Sequence, residues 1–234
     1  MKRAEAVLGI AAVLLCGVAL AGDAGVVEPF NGKDLTGWKI RGDPAKSAWK
    51  VGKAGWDKAD EKHLTATEGG TDMVNLSQHH GDSLDIYTEQ KFGDVHLELE
   101  LMIAKESNSG IYLMGEYEVQ VLDSFGKQVA DKGDMGAIYS QVAPKVNATK
   151  APGEWQKFVI DFQTPRFDAD GKKTANAKFI KVVLNDQVLH ENAEATGPTG
   201  GQLGAEVPTG PLMLQGNHGP VAYRNIKITP LAAK

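Results

Sequence analysis

Cysteine is almost absent from this sequence: Cys16 is the only one among 234 residues. It lies in a short apolar segment near the amino terminus, so the rest of the chain can form no disulfide bond. A small domain stapled by disulfides is therefore excluded. The fold has to depend on a hydrophobic core of adequate size.

Long apolar runs and basic clusters are also scarce. After residue 21 no stretch approaches the ~18 apolar residues of a membrane-spanning helix, which argues against stable membrane insertion after cleavage. The formal net charge is −5, and the densest basic run is the pair Lys172 and Lys173. Because a nucleic-acid partner requires a basic stripe, none is expected. The sequence also lacks a phosphate loop, a nucleophile elbow and a dinucleotide fingerprint.

Residues 1–21 have the pattern of a secretory signal peptide. Lys2 and Arg3 precede an apolar run that ends at a small-x-small cleavage site. We therefore predict an exported protein, periplasmic or extracellular, whose remaining residues, 22–234, form a single domain.

Strand patterns dominate the rest of the chain. Glycine is abundant, at 27 of 234 residues, against a usual ~7%, which is typical of turns and bends in β structure. Residues 95–104 alternate apolar and polar side chains with the period of two of a half-buried strand. Residues 116–123 alternate in the same way and put Glu118 and Gln120 on one face. Further strands are predicted over residues 155–162, 179–184, 188–191, 212–215 and 221–229.

These strands predict an all-β fold, a jelly-roll sandwich of two antiparallel sheets. Asn185-Asp186 is a hairpin turn signal between two of them. Polar or Gly/Pro-rich segments are predicted as loops over residues 41–56, 78–85, 126–135 and 196–208. A curved sheet would offer its outer face as a groove, where polar and aromatic side chains at mid-strand could hold a ligand.

Seven short motifs in a fixed order cover nearly the whole chain, residues 27–231. They are Phe30-Asn31-Gly32-Lys33-Asp34-Leu35 with Gly37-Trp38, Asn108-Ser109-Gly110-Ile111-Tyr112-Leu113-Met114, Tyr117-Glu118-Val119-Gln120-Val121-Leu122-Asp123, Gly136-Ala137-Ile138-Tyr139, Pro152-Gly153-Glu154-Trp155, Leu214-Gln215 with His218-Gly219, and Arg224-Asn225-Ile226. This set resembles the 3-keto-disaccharide hydrolase family, also described as 3-keto-glucoside 1,2-lyases and 3-keto-2-hydroxy-glucal hydratases. The resemblance implies a concanavalin A-like lectin/glucanase sandwich and a 3-keto-glycoside substrate.

The acidic residues do not favour an ordinary glycosidase. Such an enzyme needs two carboxyl groups flanking the scissile bond. Here Glu118 is followed at the next position on its face by Gln120, an amide, while Asp123 falls on the opposite face. A sugar already oxidised at C3 needs fewer catalytic groups, because its ketone acidifies the C2 proton. One base, one donor at the oxyanion and groups that hold the ring then suffice.

We accordingly predict Glu118 as the general base or proton shuttle. His218 is the second catalytic candidate, as an acid, a base or an oxyanion donor, because its pKa range suits proton transfer near neutrality. Side chains that orient sugar hydroxyls, stack on the ring or donate phenolic hydrogen bonds form the predicted substrate-binding set. They are Asn108, Tyr112, Gln120, Tyr139 and Gln215.

The sequence requires no cofactor and leaves a divalent cation open, with its ligands unknown. Asp123, Asp131 and Asp134 lack the spacing of a calcium loop and are interpreted as solvated loop charges. His79-His80 has no partner at ligand spacing and is interpreted as a surface pair. Because the chain has no dinucleotide fingerprint, the keto sugar would come from a separate sugar 3-oxidoreductase.

Two other functions are open from the sequence. A non-catalytic, lectin-like carbohydrate-binding module on the same fold would also suit the signal peptide and the acidic charge. The other possible function is that of an ordinary endoglucanase, which the pattern of Glu118 and Gln120 disfavours. The fold cannot decide among them, because one sandwich hosts many activities.

Overall fold

The computed structural model describes residues 25–232. The predicted signal peptide, residues 1–21, lies outside this part of the chain. Within the described residues, helix is limited to one 3-10 turn at Pro44–Lys46. None of this part of the chain forms a helix with the length and apolar character to cross a membrane.

Fourteen strands form within residues 25–232. In chain order they are β1 (Trp38–Ile40), β2 (Trp49–Trp56), β3 (Leu64–Asn75), β4 (Ile86–Phe92), β5 (Val95–Ile103), β6 (Asn108–Leu113), β7 (Tyr117–Leu122), β8 (Gln156–Gln163), β9 (Arg166–Phe167), β10 (Lys173–Ala175), β11 (Ala177–Leu184), β12 (Gln187–Ala195), β13 (Gly210–Leu214) and β14 (Val221–Pro230).

The strands build two large antiparallel sheets. One has five strands in the order β1-β4-β13-β6-β7, and the other has seven in the order β12-β11-β8-β5-β14-β3-β2. A separate two-stranded ribbon pairs β10 with β9. This sandwich confirms the predicted all-β, jelly-roll fold with two antiparallel sheets.

The core lies between the two large sheets, where alternate residues of facing strands meet. On β5, Leu97, Leu99 and Leu101 are at most 1% exposed. On β7, Val119 and Val121 are fully buried in the same cluster. Burying a leucine side chain stabilises a fold by ~1.5–3 kcal/mol relative to leaving it exposed. The alternation of apolar and polar residues in the sequence therefore identifies the buried face of each of these two strands.

The predicted loop over residues 41–56 is wrong in its second half, where β2 runs and pairs with β3. Neither β3 nor β4 was expected. The glycines that suggested a loop instead allow a close approach of the two backbones: a Cβ on Gly52 would lie 2.8 Å from the Thr67 carbonyl oxygen. A Cβ on Gly70 would lie 1.8 Å from the Lys53 nitrogen. The register shifts between Gly52 and Lys53, as expected of a bulge.

The remaining turn and loop predictions are confirmed. Asn185 and Asp186 connect β11 to β12 with φ of 49° and 66°, the left-handed conformation that a two-residue hairpin turn requires. Residues 78–85, 126–135 and 196–208 contain no strand. The last of these segments crosses the outer face of the five-stranded sheet and forms part of the site described below.

Strand register lines up two rows of side chains across the five-stranded sheet. The row that faces the core consists of Ile40, Ile86, Leu214, Ile111 and Val119. The adjacent row, on the outer face, consists of Tyr87, Met213, Tyr112 and Glu118. The outer face therefore carries polar and aromatic side chains at mid-sheet.

Candidate active site

A cavity of about 200 Å³ lies on the outer face of the five-stranded sheet. All seven residues predicted as catalytic or substrate-binding line it, together with two glycines of the 196–208 loop. The lining residues are Asn108, Tyr112, Glu118, Gln120, Tyr139, Gly200, Gly201, Gln215 and His218. The structure thus brings the whole predicted set together in one place, while the role of each residue stays a prediction.

The floor of the cavity is formed by β6 and β7. Tyr112 stands opposite Glu118 and Gly110 opposite Gln120 in the antiparallel register. The side chains of the directly opposed pair Tyr112 and Glu118 therefore lie close together on this face. Gln215, which follows β13, joins this floor because its backbone N–H donates to the Gly110 carbonyl at 2.9 Å.

Gly110 makes room for the carboxylate. A Cβ at this position would lie 2.3 Å from Glu118 Oε1 and 2.8 Å from Tyr112 Cε2. The Glu118 side chain therefore bends over the backbone of the neighbouring strand. Sequence reasoning did not single out Gly110, although an isolated glycine inside a strand pattern is a signal of close approach.

Glu118 is held in a buried position beside Tyr112. It is 3% exposed, and the Tyr112 hydroxyl donates to its carboxylate. Burial raises the pKa of Glu118 to about 7; the Tyr112 hydrogen bond opposes that rise and the negative charge of Asp85 adds to it. Near neutral pH both protonation states are populated, which is the condition for a general acid or base.

Tyr112 links two of the predicted residues. Gln215 Nε2 donates to its hydroxyl oxygen at 3.3 Å, and the hydroxyl in turn donates to Glu118. Burial, followed by the charge of Glu118, raises the pKa of Tyr112 far above its usual value. Tyr112 therefore stays protonated and acts as a donor throughout the neutral range.

His218 lies on a turn after β13 that is fixed from below. Asn75 is fully buried, and its Nδ2 donates to the carbonyls of Gly216 at 2.7 Å and Gly219 at 2.9 Å. The His218 Nδ1 pairs with the Asn217 side-chain oxygen. In a neutral imidazole that contact places the hydrogen on Nδ1, which leaves Nε2 as a proton acceptor.

His80 is a neighbour of the site that sequence reasoning missed. Both His79 and His80 are exposed, as expected of a surface pair, but the His80 ring meets the His218 ring edge-on, with centroids 4.3 Å apart. Burial, followed by the positive charge that His80 can carry, lowers the pKa of His218. No local pattern reveals this contact, because the two histidines are distant in sequence.

Tyr139 stands at the mouth of the cavity, with 37% of its surface exposed. Its backbone N–H donates to the Glu118 carbonyl at 3.1 Å, and the Gln120 N–H donates to the Ala137 carbonyl at 2.9 Å. The segment before Tyr139 thus pairs with the free edge of β7. This pairing fixes an exposed aromatic ring beside Glu118, where it can stack on a sugar.

Two buried acceptors in the cavity have no partner. Asn108 Oδ1 and Gln215 Oε1 are inaccessible to water and accept no hydrogen bond within the protein. Leaving a buried acceptor unpaired costs about 1–3 kcal/mol. Because water cannot reach either oxygen, a ligand in the cavity would reach them only after these side chains move.

The 196–208 loop closes one side of the cavity. Gly200 and Gly201 have φ of 106° and 66°, which L side chains rarely adopt. A Cβ on Gly201 would lie 2.8 Å from the Tyr112 hydroxyl. Glycine therefore lets the loop backbone lie directly against the floor.

The three aspartates considered for metal binding do not converge. Asp131 and Asp134 are both paired with Lys127, and Asp123 accepts the Glu106 N–H at 2.9 Å. Asp134 is buried, so its interpretation as a solvated charge is wrong; the Lys127 ion pair and the Ser124 hydroxyl hold it. Within residues 25–232, no group of three or more His, Cys, Asp or Glu side chains is arranged to hold a metal ion.

Comparisons with known proteins identify the family of this chain. A family model for the 3-keto-alpha-glucoside-1,2-lyase-like domain matches residues 25–229. No curated protein matches the chain. Solved structures of three putative glycosyl hydrolases from Parabacteroides distasonis are similar to it.

The first shares 30% identity at a TM-score of 0.68, over 90% of this chain and 84% of its own. The second shares 21% identity at a TM-score of 0.59, over 89% and 94%. The third shares 19% identity at a TM-score of 0.55, over 88% and 100%. From the extent of the family match and the first of these relatives, the chain belongs to the 3-keto-alpha-glucoside-1,2-lyase-like family.

Proposed function

We propose that this protein cleaves 3-keto-glycosides by elimination across C1 and C2, followed by addition of water. One observation carries the proposal: among the described residues that line the cavity, Glu118 alone is a carboxylate, and the amide of Gln120 stands beside it. This set suits a substrate with an acidic C–H bond. It does not suit the two-carboxylate hydrolysis of an ordinary glycoside.

In the first step the Glu118 carboxylate removes the proton on C2. The C–H electrons form an enolate with the C3 ketone, and collapse of the enolate forms the C1–C2 double bond as the C1–oxygen bond breaks. The aglycone takes up one proton from solvent water and leaves as an alcohol; the proton that His218 accepts in the second step is released to solvent afterwards. Burial supports Glu118 as the base, because it raises the pKa to about 7 and so strengthens the basicity of the carboxylate.

The second step adds water across the double bond of the 2-hydroxy-glycal. One hydroxyl joins C1 and one proton returns to C2, so that the two steps amount to hydrolysis. His218 is the proposed acceptor for the proton of this water, because its pKa is lowered and its Nδ1 is paired with Asn217. Glu118, protonated by the first step, returns the proton to C2.

The remaining lining groups hold the sugar. The side-chain amides of Asn108, Gln120 and Gln215 line the cavity and are the groups that orient the ring hydroxyls. Tyr139, exposed at the mouth, offers a ring face to the sugar or the aglycone.

The test compares aglycone release from a 3-keto-glucoside and from its unoxidised parent, with and without a chelator. Release from the keto form alone is expected. Glu118→Gln should lower kcat by about 10²–10⁴-fold, the usual contribution of a general base, and should leave binding of the unreactive parent unchanged. Glu100→Gln is the matched control, since Glu100 pairs with Arg224 on the other sheet; it should keep full activity.

The alternatives predict different results. A carbohydrate-binding module would bind both sugars and release aglycone from neither. An endoglucanase would act on the unoxidised parent. If the chelator abolished release of the aglycone, a divalent cation would be needed, and we would place it at the oxyanion.

The proposal also places the protein in a reaction sequence. A separate sugar 3-oxidoreductase has to supply the ketone. Cleavage of residues 1–21 would place the remaining chain in the periplasm or outside the cell.

A further inference from the structure

Two charged residues outside the cavity lining lie beside it. The antiparallel pairs β1–β4 and β4–β13 place Arg41, Asp85 and Gln215 next to one another at the same end of three strands. Ile86 is fully buried in the core. Asp85, which directly precedes it, therefore points to the outer face, where Glu118 also lies.

Asp85 binds the turn that carries His218. The side chain is only 7% exposed. Its Oδ1 accepts the backbone N–H of Gly216 at 3.0 Å, and its Oδ2 accepts a hydrogen bond from Arg41 at 3.2 Å. Since Gly216 starts the turn to His218, the position of that imidazole depends on Asp85.

Arg41 binds the opposite wall. One guanidinium nitrogen donates to the Gly201 carbonyl at 2.6 Å as well as to Asp85, and the other donates to the Gln202 carbonyl at 2.9 Å. The planar fork of arginine can make such contacts simultaneously, whereas the point charge of lysine cannot. Arg41 therefore fixes the glycine segment that lies against Tyr112.

We propose that Asp85 and Arg41 form a positioning pair for the active site, tying the His218 turn and the 196–208 loop together across one end of the cavity. Neither residue touches the reacting atoms. Their contact sets the distance between two walls that otherwise belong to separate loops. Such control of geometry matters because small misplacements of a catalytic group reduce the rate strongly.

The charge of Asp85 gives the pair a measurable signature. It adds to the rise in the pKa of Glu118, so its removal lowers that pKa. The titratable groups around Glu118 come from five places: the strands β6 and β14, the segment after β7, the residue before β4 and the turn after β13. They are Tyr112, Tyr223, Tyr139, Asp85 and His218.

The experiment uses Asp85→Asn and Arg41→Ala in the full chain. The asparagine keeps an oxygen for the Gly216 N–H while removing the charge, so the acid limb of kcat/KM for the 3-keto-glucoside should move to lower pH. Arg41→Ala releases the loop and should raise KM by about tenfold, the loss expected of one charge-assisted hydrogen bond. Arg41→Lys should restore part of the affinity.

A second aspartate–arginine pair gives a matched control. Arg166 donates to Asp94 Oδ1 at 2.8 Å, and Asp94 is 8% exposed. Neither residue lines the cavity. Asp94→Asn and Arg166→Ala should lower the unfolding temperature as the other variants do, and leave KM and the pH profile unchanged.

The kinetic part rests on the proposed function, so a second readout is independent of turnover. With carboxyl-labelled glutamate, the ¹³C signal that disappears in Glu118→Gln reports the titration of Glu118. Its midpoint should fall in Asp85→Asn and stay constant in Asp94→Asn. An unchanged midpoint in Asp85→Asn, or kinetic effects equal to those of the control pair, would overturn the inference. Absence of turnover in the wild type would refute the proposed function alone.

Discussion

Glu118 combines two properties that oppose each other. Its carboxylate has to be buried against Tyr112 and over Gly110 to become a base near neutrality. The same burial penalises the charged form and so weakens the folded state once the carboxylate ionises. In the proposed role as a base, Glu118 therefore gains reactivity at the expense of stability, and both effects can be measured.

Activity should follow the ionisation of Glu118. Because the base has to be deprotonated and its pKa is about 7, kcat/KM for a 3-keto-glycoside should rise with pH, reach half of its maximum near pH 7 and level off above pH ~8. Burial and the neighbouring His80 lower the pKa of His218, which favours its neutral form. Initial rates from pH 5 to 9 test this, and a flat profile would contradict a base at this position.

The free energy of unfolding should fall as the pH rises, whereas the activity should increase. The pKa of Glu118 is 4.5 in its usual state and about 7 in the fold, so the folded protein holds the proton more tightly. Raising the pH from 4.5 to 7 therefore lowers the free energy of unfolding, by about 3 kcal/mol at ~1.36 kcal/mol per unit. Glu118→Gln cannot ionise and should become more stable than the wild type across this window. Urea unfolding at pH 4.5 and 8 measures the difference, and parallel curves would exclude the raised pKa.

Gly110→Ala should damage the site without unfolding the protein. The added methyl group would meet Glu118 Oε1 at 2.3 Å, which is too close, so the carboxylate has to move. We expect kcat/KM to fall by about 10–100-fold. Gly93→Ala is the control, because its Cβ would meet only a Thr209 methyl group at 3.9 Å. If the two variants had the same kcat/KM, Gly110 would have no special role in the site.

At the scale of elements, β7 is an edge strand whose free side is covered in two ways. Residues 136–139 pair with it near Glu118 and Gln120. The 196–208 loop covers the rest: Thr199 Oγ1 accepts the Glu118 N–H at 2.8 Å. Covering an edge in this manner protects it from pairing with another chain, and here it also builds the walls of the cavity.

Thr199→Val should reveal how much the 196–208 loop, by covering β7, contributes to the free energy of unfolding. Valine keeps the shape of the side chain but leaves the buried Glu118 N–H unpaired, which should lower the free energy of unfolding by about 1–3 kcal/mol. Thr199→Ser should recover most of the loss. Thr174→Val, at an exposed position, is the control in urea unfolding. A neutral effect of Thr199→Val would mean that the loop does not hold the strand.

Strands in which apolar and polar residues alternate regularly were predictable from the sequence. Strands whose composition is set by close contact between backbones were not. Alternation located β5 and β7 because one face of each is buried in a shared core. The glycines of β2 and β3 concealed two strands, since a bulge with close backbones has the composition of a loop. Arg41, Asp85 and His80 were missed as site residues because only strand register and loop packing bring them to the cavity.

At the scale of the whole molecule, the seven predicted site residues meet because β13 lies beside the hairpin of β6 and β7 in one sheet, although it is far from that hairpin in the chain. Alternation places their side chains on a face, and the resemblance carried by the motifs suggested that the faces belong to one site. The hydrogen bonds among them, such as Gln215 to Tyr112, depend on atomic geometry that no pattern encodes.

The proposed cleavage of residues 1–21 leads to a prediction about the exported protein. Removal of residues 1–21 would also remove Cys16, the only cysteine. The exported protein should therefore begin near residue 22 and, when denatured, should contain no reactive thiol. Intact-mass spectrometry and thiol titration measure both properties, with the uncleaved chain as a control carrying one thiol. A thiol in the exported form would refute cleavage at this place.

Around Gln202 the 196–208 loop is attached to the protein through its main chain, whereas Thr199 and Glu206 are also held by their side chains. Its fixed contacts include the Thr199 and Leu203 amides and the carbonyls of Gly201 and Gln202. A loop whose path is set by backbone atoms can exchange side chains without changing that path. Randomising Gln202 would therefore vary the groups presented near the cavity on an unchanged scaffold, making this loop a natural starting point for a library selected on new aglycones.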